Sequence, residues 1–198
     1  MEPQGILAEE LAEVMRLAYS KGLTTGGGGN ASLRLAQGFL ITPSGKFKGR
    51  LRGEDILVIN EFGEVLLGEG VPSTEWRMHI MIYEARDDVN SVLHCHHPLL
   101  TAFASNFREH SLKDLKGFMT EEALILLREI RIAPWRPFGT QELAFLVSET
   151  LKESNAVLIE KHGAVVVAED HWKALAAMES LVETIEIFLF SKILERLK

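Results

Sequence analysis

Apolar residues recur along this chain with two different periods, and each change of period marks a boundary between elements. Leu7, Leu11, Val14, Met15 and Ala18 fall on one face of a helix that Gly22 can stop. Residues 26–30, GGGGN, cannot continue a helix and form a turn or a ligand loop. Four short stretches, ASLRL, GFLIT, DILVI and GEVLLG, then read as strands. The segment PSTEWRMHIMIYEAR returns to the helical period, with Pro72 or Ser73 at its start and Met78, Ile82 and Ala85 on one face. NSVLHC is a buried strand, and Pro98 opens a helix over PLLTAFAS. EEALILLREI fits a helix or a strand, because its apolar run has no clear period. TQELAFLVSETLKES is helical, NAVLIEKHGAVVVAED is a strand pair broken near Gly163, and a long final helix starts at an Asp170 cap. Strands mixed with helices predict one α/β/α layered domain over residues 1–198. The closely spaced early strands exclude an all-parallel sheet, so the central sheet is mixed and largely antiparallel.

Composition narrows the function more than the fold. The 198 residues are 46% apolar with a net charge of -7, which argues against nucleic-acid or membrane binding but allows a local basic pocket for an anion. One cysteine excludes an internal disulfide framework and fits a reducing compartment. The first residues lack a signal-peptide pattern, and the apolar stretch LVETIEIFLF is interrupted by Glu183 and Glu186. The expectation is a soluble cytoplasmic protein.

The most informative chemistry lies in HCHH at residues 94–97. On a strand, residues two apart share a face, so His94 and His96 point together while Cys95 and His97 point away. Paired imidazoles suit zinc or another borderline divalent cation, yet two histidines alone fit a hydrogen-bonded core equally well. His162, at a strand break before Gly163, is the best third ligand. His110 and His171 read as solvent-facing, and His97, before Pro98, as a loop or packing residue. Glu75 by itself is a first-turn acid in a helix dipole's field. Glycines and serines in three segments could expose donors to an anion, although each alone is an ordinary turn or cap.

Four segments occur in an order and spacing that resemble the class II aldolase/adducin family, most closely its fuculose-1-phosphate aldolase branch: GGGGNASLR, ITPSGK, PSTEWRMHIMIYEARDDVNSVLHCHHP and IEKHGAVVVAED. The resemblance spans about residues 8–185. It implies that His94, His96 and His162 hold one zinc ion per subunit and that Glu75 is the catalytic acid/base. It further implies that Gly28, Gly29, Asn30, Ser44, Gly45, Ser73 and Thr74 surround a substrate phosphate. His79, four residues after Glu75, reads as a structural partner, and Lys46 as solvated.

The implied reaction is reversible cleavage of a ketose 1-phosphate, such as L-fuculose 1-phosphate, to dihydroxyacetone phosphate and lactaldehyde. Readings that use the same site are a methylthioribulose-1-phosphate-type dehydratase and a pentulose-phosphate 4-epimerase; a non-catalytic adducin-like module is the contrasting class. Glu75 counts against the epimerase, which typically carries aspartate there. The family implies a homotetramer with sites at subunit borders. Two departures stand out: Gly27 replaces a hydroxyl residue of the relatives' loop, and Phe118 stands where relatives carry a proton-donating tyrosine. Tyr19 and Tyr83 read as packing residues, and Glu121 and Glu122 as helix-cap acids.

Overall fold

Alternation along the central strands decides which side chains meet. The structure, a computed structural model, describes residues 3–107 and 112–197; the reading of His110 lies outside the described residues. Eight strands form one sheet: β1 (Asn30–Arg34), β2 (Phe39–Ile41), β3 (Leu57–Ile59), β4 (Val65–Leu67), β5 (Ser91–Cys95), β6 (Ile130–Ala133), β7 (Ala156–Ile159) and β8 (Gly163–Ala168). Their order is β4-β3-β2-β1-β5-β8-β7-β6. Each neighbouring pair is antiparallel except β6 and β7, so the sheet is mixed and largely antiparallel as the strand spacing required.

Helices α1 (Pro3–Ser20), α3 (Pro98–Asn106), α4 (Leu112–Leu115), α5 (Glu121–Leu127) and α7 (His171–Arg196) contribute to the larger apolar cluster on one face of the sheet. Helices α2 (Trp76–Ala85) and α6 (Gln141–Thr150) cover the other face. β5 is buried along its whole length. Its Leu93 and Cys95 enter the first cluster, and Val92 enters the second. His94 therefore shares the α2 face with Val92, and Cys95 is committed to the opposite core. Burial pushes the Cys95 thiol well above its usual range, which makes it a packing group.

Two local expectations need correction, and one open reading is resolved. The helix after Pro72 starts at Trp76, because Pro72 bridges Pro43 and the Ser73 N–H donates to the Thr42 carbonyl, which holds this segment extended. The ambiguous run EEALILLREI is both structures in turn: α5 under a Thr120 cap, then β6 after Arg128, whose φ of 56° ends the helix. His171 is buried rather than solvated, with its Nε2 3.3 Å from Glu10. The expected Asp170 cap is present, accepting from the Lys173 N–H at 2.7 Å.

The tightest backbone approach is between β5 and β8. A Cβ on Gly163 would lie 2.3 Å from the Cys95 carbonyl oxygen and 3.3 Å from the His96 Cα, so only glycine permits the pairing of Cys95 with Ala164. Gly163→Ala must part these strands. The unfolding free energy from urea titration should fall by roughly 3 kcal/mol; unchanged stability would show that the strands separate freely.

Candidate active site

Three imidazoles converge above the end of β5. The His94 Nε2 lies 2.8 Å from the His96 Nε2 and 3.3 Å from the His162 Nε2. The His94 Nδ1 faces the Ala164 carbonyl at 2.9 Å. A carbonyl only accepts, so Nδ1 carries the proton and Nε2 is left to face the cluster. His96 follows β5 directly, and His162 closes the three-residue turn between β7 and β8. Gly28 is packed against His96, since a Cβ there would come within 2.6 Å of the His96 Nδ1.

Glu75 completes the group from the start of α2. Its Oε2 is 3.2 Å from the His94 Nε2 and its Oε1 is 3.5 Å from the His162 Nε2. Ligand atoms of Glu75, His94, His96 and His162 all lie within 4.8 Å of one another. The residue is 5% exposed, and Oε1 has no hydrogen-bond partner. Burial would raise this carboxyl's pKa, but the charges of His94 and His162 and the Asn30 hydrogen bond outweigh it and hold the group ionised far below the usual range. Burial, with the His94 charge, lowers His96 to about 3 and His162 to about 4, so both present lone pairs at ordinary pH. For His94, burial is opposed and outweighed by Glu75, and its pKa rises. The lone pairs of His96 and His162, facing His94 beside a buried ionised oxygen without a partner, fit a borderline divalent cation by charge and by donor type.

Behind Glu75 runs a polar chain that sequence reasoning mostly misses. The Asn30 Nδ2 donates to the Glu75 Oε2 at 3.0 Å, and the Asn30 Oδ1 is 2.5 Å from the His79 Nε2. The His79 Nδ1 lies 2.7 Å from the Ser32 hydroxyl, which is 2.6 Å from the Tyr83 hydroxyl. Because the carboxylate must accept, Asn30 Nδ2 donates, Oδ1 accepts, and His79 carries its proton on Nε2. Ser32 then donates to Nδ1, and Tyr83 to Ser32. All the donors run toward Glu75. A signal for it exists in the spacing: residues 75, 79 and 83 are helically spaced and Asn30 and Ser32 are strand-spaced, so each set makes one stripe. Tyr83 does pack, stacked on Phe39, but its hydroxyl belongs to this chain.

A cavity of about 260 Å³ opens on the cluster, lined by Glu75, His96 and His162 and by Gly29, Asn30, Ser44, Gly45, Ser73 and Thr74. Gly29 has φ +71° and abuts the His94 carbonyl, a position closed to other residues. Gly28 does not line the cavity, and its N–H is taken by Thr25 at 3.0 Å. Gly27 does line it, with open space where a Cβ would stand. Lys46 is exposed and paired with Asp55 at 2.9 Å, whereas Lys48, which carries no signal in the sequence, is buried in the cavity wall. His97 stands at the N-cap position of α3, without a side-chain capping bond, and does not line the cavity. Phe118 packs on Phe188, Glu121 and Glu122 sit in the first turn of α5, and Tyr19 meets Phe47 edge-on, all outside this cavity.

The chain matches the family described as Class II Aldolase and Adducin N-terminal domain over residues 9–189. It is 32% identical over 178 residues to a protein of Methanococcus maripaludis named L-fuculose phosphate aldolase, covering 90% of this chain and 93% of that one. It is also 32% identical to a 5-deoxy-D-ribulose 1-phosphate aldolase of Bacillus thuringiensis, covering 93% of this chain and 84% of the relative. A solved L-fuculose-1-phosphate aldolase from Thermus thermophilus superposes with a TM-score of 0.79 at 26% identity, covering 96% of each chain. This chain therefore belongs to the class II aldolase/adducin family, and its aldolase-named relatives and the histidine–glutamate cluster mark it as an enzyme. Among the described residues, no helix is long and apolar enough to cross a membrane.

Burial lowers His79 to about 3 from an ordinary 6.5 and keeps it neutral. Between these values the unfolded chain binds a proton that the folded chain refuses, so stability is held above pH 6.5 and lost as pH falls. Each such group steepens the decline by about 1.4 kcal/mol per pH unit. Urea unfolding of chelator-treated protein at several pH values in this range should show a shallower slope for His79→Gln than for the wild type. Equal slopes would rule out a neutral His79.

Proposed function

We propose that the protein is a metal-dependent aldolase that reversibly cleaves a ketose 1-phosphate, with L-fuculose 1-phosphate as first substrate and dihydroxyacetone phosphate and lactaldehyde as products. One observation carries the reading: Glu75, whose Oε1 has no hydrogen-bond partner and lies 3.5 Å from the His162 Nε2, lines a cavity rimmed by small hydroxyl and glycine residues. A second substrate, 5-deoxyribulose 1-phosphate, is favoured by the Bacillus thuringiensis relative's name, and both sugars share the dihydroxyacetone phosphate half.

In this reading His94, His96 and His162 hold a divalent cation, zinc first among candidates. When bound, it supplies Lewis-acid polarisation of the substrate carbonyl. The phosphate end is received by Asn30, Ser44, Gly45, Ser73 and Thr74, with Gly29 letting the backbone come close. Glu75 takes the proton from the carbon beside the carbonyl and returns it in the reverse direction. Asn30 occupies Oε2, which leaves Oε1 as the working oxygen. His79 holds Asn30 in the orientation that donates to the carboxylate. The aldehyde half departs without a tyrosine at position 118, and in the family's homotetramer a neighbouring subunit borders the site. A glutamate at position 75, aldolase-named relatives and the intact cluster favour cleavage over epimerisation, dehydration or a non-catalytic role.

Loss of the carbon-bound proton of dihydroxyacetone phosphate in heavy water, followed by NMR, tests the first half-reaction. Exchange should require metal and fall by about two to four orders of magnitude in Glu75→Gln. Exchange that survives chelation or the substitution would sink the assignment. Gly27→Ser fills open space. It should leave stability within about 0.5 kcal/mol and lower the half-saturating concentration of dihydroxyacetone phosphate; a raised value would place the phosphate elsewhere.

A further inference from the structure

Lys48 is 3% exposed, in a protein whose net charge is -7. Its ammonium lies 3.3 Å from each of two backbone carbonyls, those of Pro43 and Lys46. Among the described residues it makes no ion pair, although Lys46 two positions earlier has Asp55. A buried lysine normally keeps its charge only with an anionic partner, since neutral acceptors do not repay the lost hydration. The backbone fixes the position: the Lys48 N–H donates to the Gly26 carbonyl at 2.8 Å, joining the residue to the glycine loop that forms the other wall of the cavity. Of the side chains lining that cavity, Lys48 is the only lysine or arginine. The remaining donors there, apart from the histidines, are neutral: Asn30, Ser44, Ser73 and Thr74. A phosphate monoester carries close to two negative charges at neutral pH.

We propose that Lys48 is the cation that binds the substrate's phosphate, so that this enzyme selects a phosphorylated ketose by charge as well as by hydrogen bonding. This rests on the reading of the cavity as an aldolase site. The two carbonyls orient the ammonium while the cavity is empty of anion, and the phosphate supplies the partner that the fold withholds. Burial lowers the Lys48 pKa, and an adjacent anion acts in the opposite sense, so phosphate and proton reinforce each other.

Titration with inorganic phosphate, followed by calorimetry, tests the proposal without any turnover. Wild-type protein should bind phosphate, and Lys48→Met should bind it about tenfold more weakly or worse, the change expected on losing one charge-assisted hydrogen bond. Lys48→Arg should recover part of the affinity. Thermal unfolding without phosphate guards against a folding artefact: Lys48→Met removes a buried cation without an anionic partner and should melt no lower than wild type. Glu75→Gln should lose proton exchange while still binding phosphate, which separates a failure of the phosphate assignment from a failure of the aldolase reading. Equal phosphate affinity in wild type and Lys48→Met would overturn the proposal, as would no binding by the wild type. Borohydride trapping gives a further arm: a reduced adduct of dihydroxyacetone phosphate on Lys48 would make it a Schiff-base nucleophile and overturn its role as an anion ligand.

Discussion

The antiparallel pairing of β5 with β8 is the contact on which the candidate site depends. It joins residues 94–96 to residue 162, far apart in sequence, and it does so at a separation that only glycine at 163 allows. The same pairing presents the Ala164 carbonyl to His94 and so decides which of its nitrogens faces the cluster. Strand geometry has a second consequence. With a side-chain period of two, His94 faces α2 and Cys95 is fixed in the opposite core, which removes a thiolate from the donor set and leaves three nitrogens and one carboxylate.

Burying Glu75 beside these imidazoles is costly unless its charge is matched and its orientation fixed. The chain of Tyr83, Ser32, His79 and Asn30 meets the second need. Each link contributes roughly 1 kcal/mol net, and each group would cost more if left unpaired, so the network defines one arrangement better than it adds stability. It also explains why the α2 face of β1 is polar where that of β2 carries Phe39 and Ile41: Asn30 and Ser32 are the sheet's half of the support for a carboxylate that enters from the helix. Charge is matched from the front, by His94, whose pKa Glu75 raises, and by whatever cation the imidazoles hold.

The cavity joins segments that are distant in sequence but stitched by backbone bonds. Thr42 pairs with Ala31, Ser73 with Thr42, Ser44 with Val71, and Lys48 with Gly26. These bonds gather the glycine loop, the turn after β2 and the approach to α2 around one opening, and they hold α2 back so that it begins at Trp76. Ser73 and Thr74 thereby line the cavity wall ahead of the helix.

Much of this is legible in the residues themselves. Periodicity gives the helices, the mixed sheet and the Asp170 cap, because amphipathic spacing and side-chain caps are local properties. The i and i+2 positions of His94 and His96 on one strand are enough to separate them from Cys95, and the order of the motifs links them to His162, Glu75 and the small residues that the cavity gathers. Tertiary structure alone decided the rest. EEALILLREI has no period to divide it, and only the Thr120 cap and the parallel partner β7 show where helix gives way to strand. His171 reads as a surface residue until α1 packs over it. Lys46 and Lys48 are indistinguishable in sequence; one finds Asp55 in solvent and the other is enclosed with two carbonyls, because burial is a property of everything that surrounds a residue and not of its own neighbours in the chain.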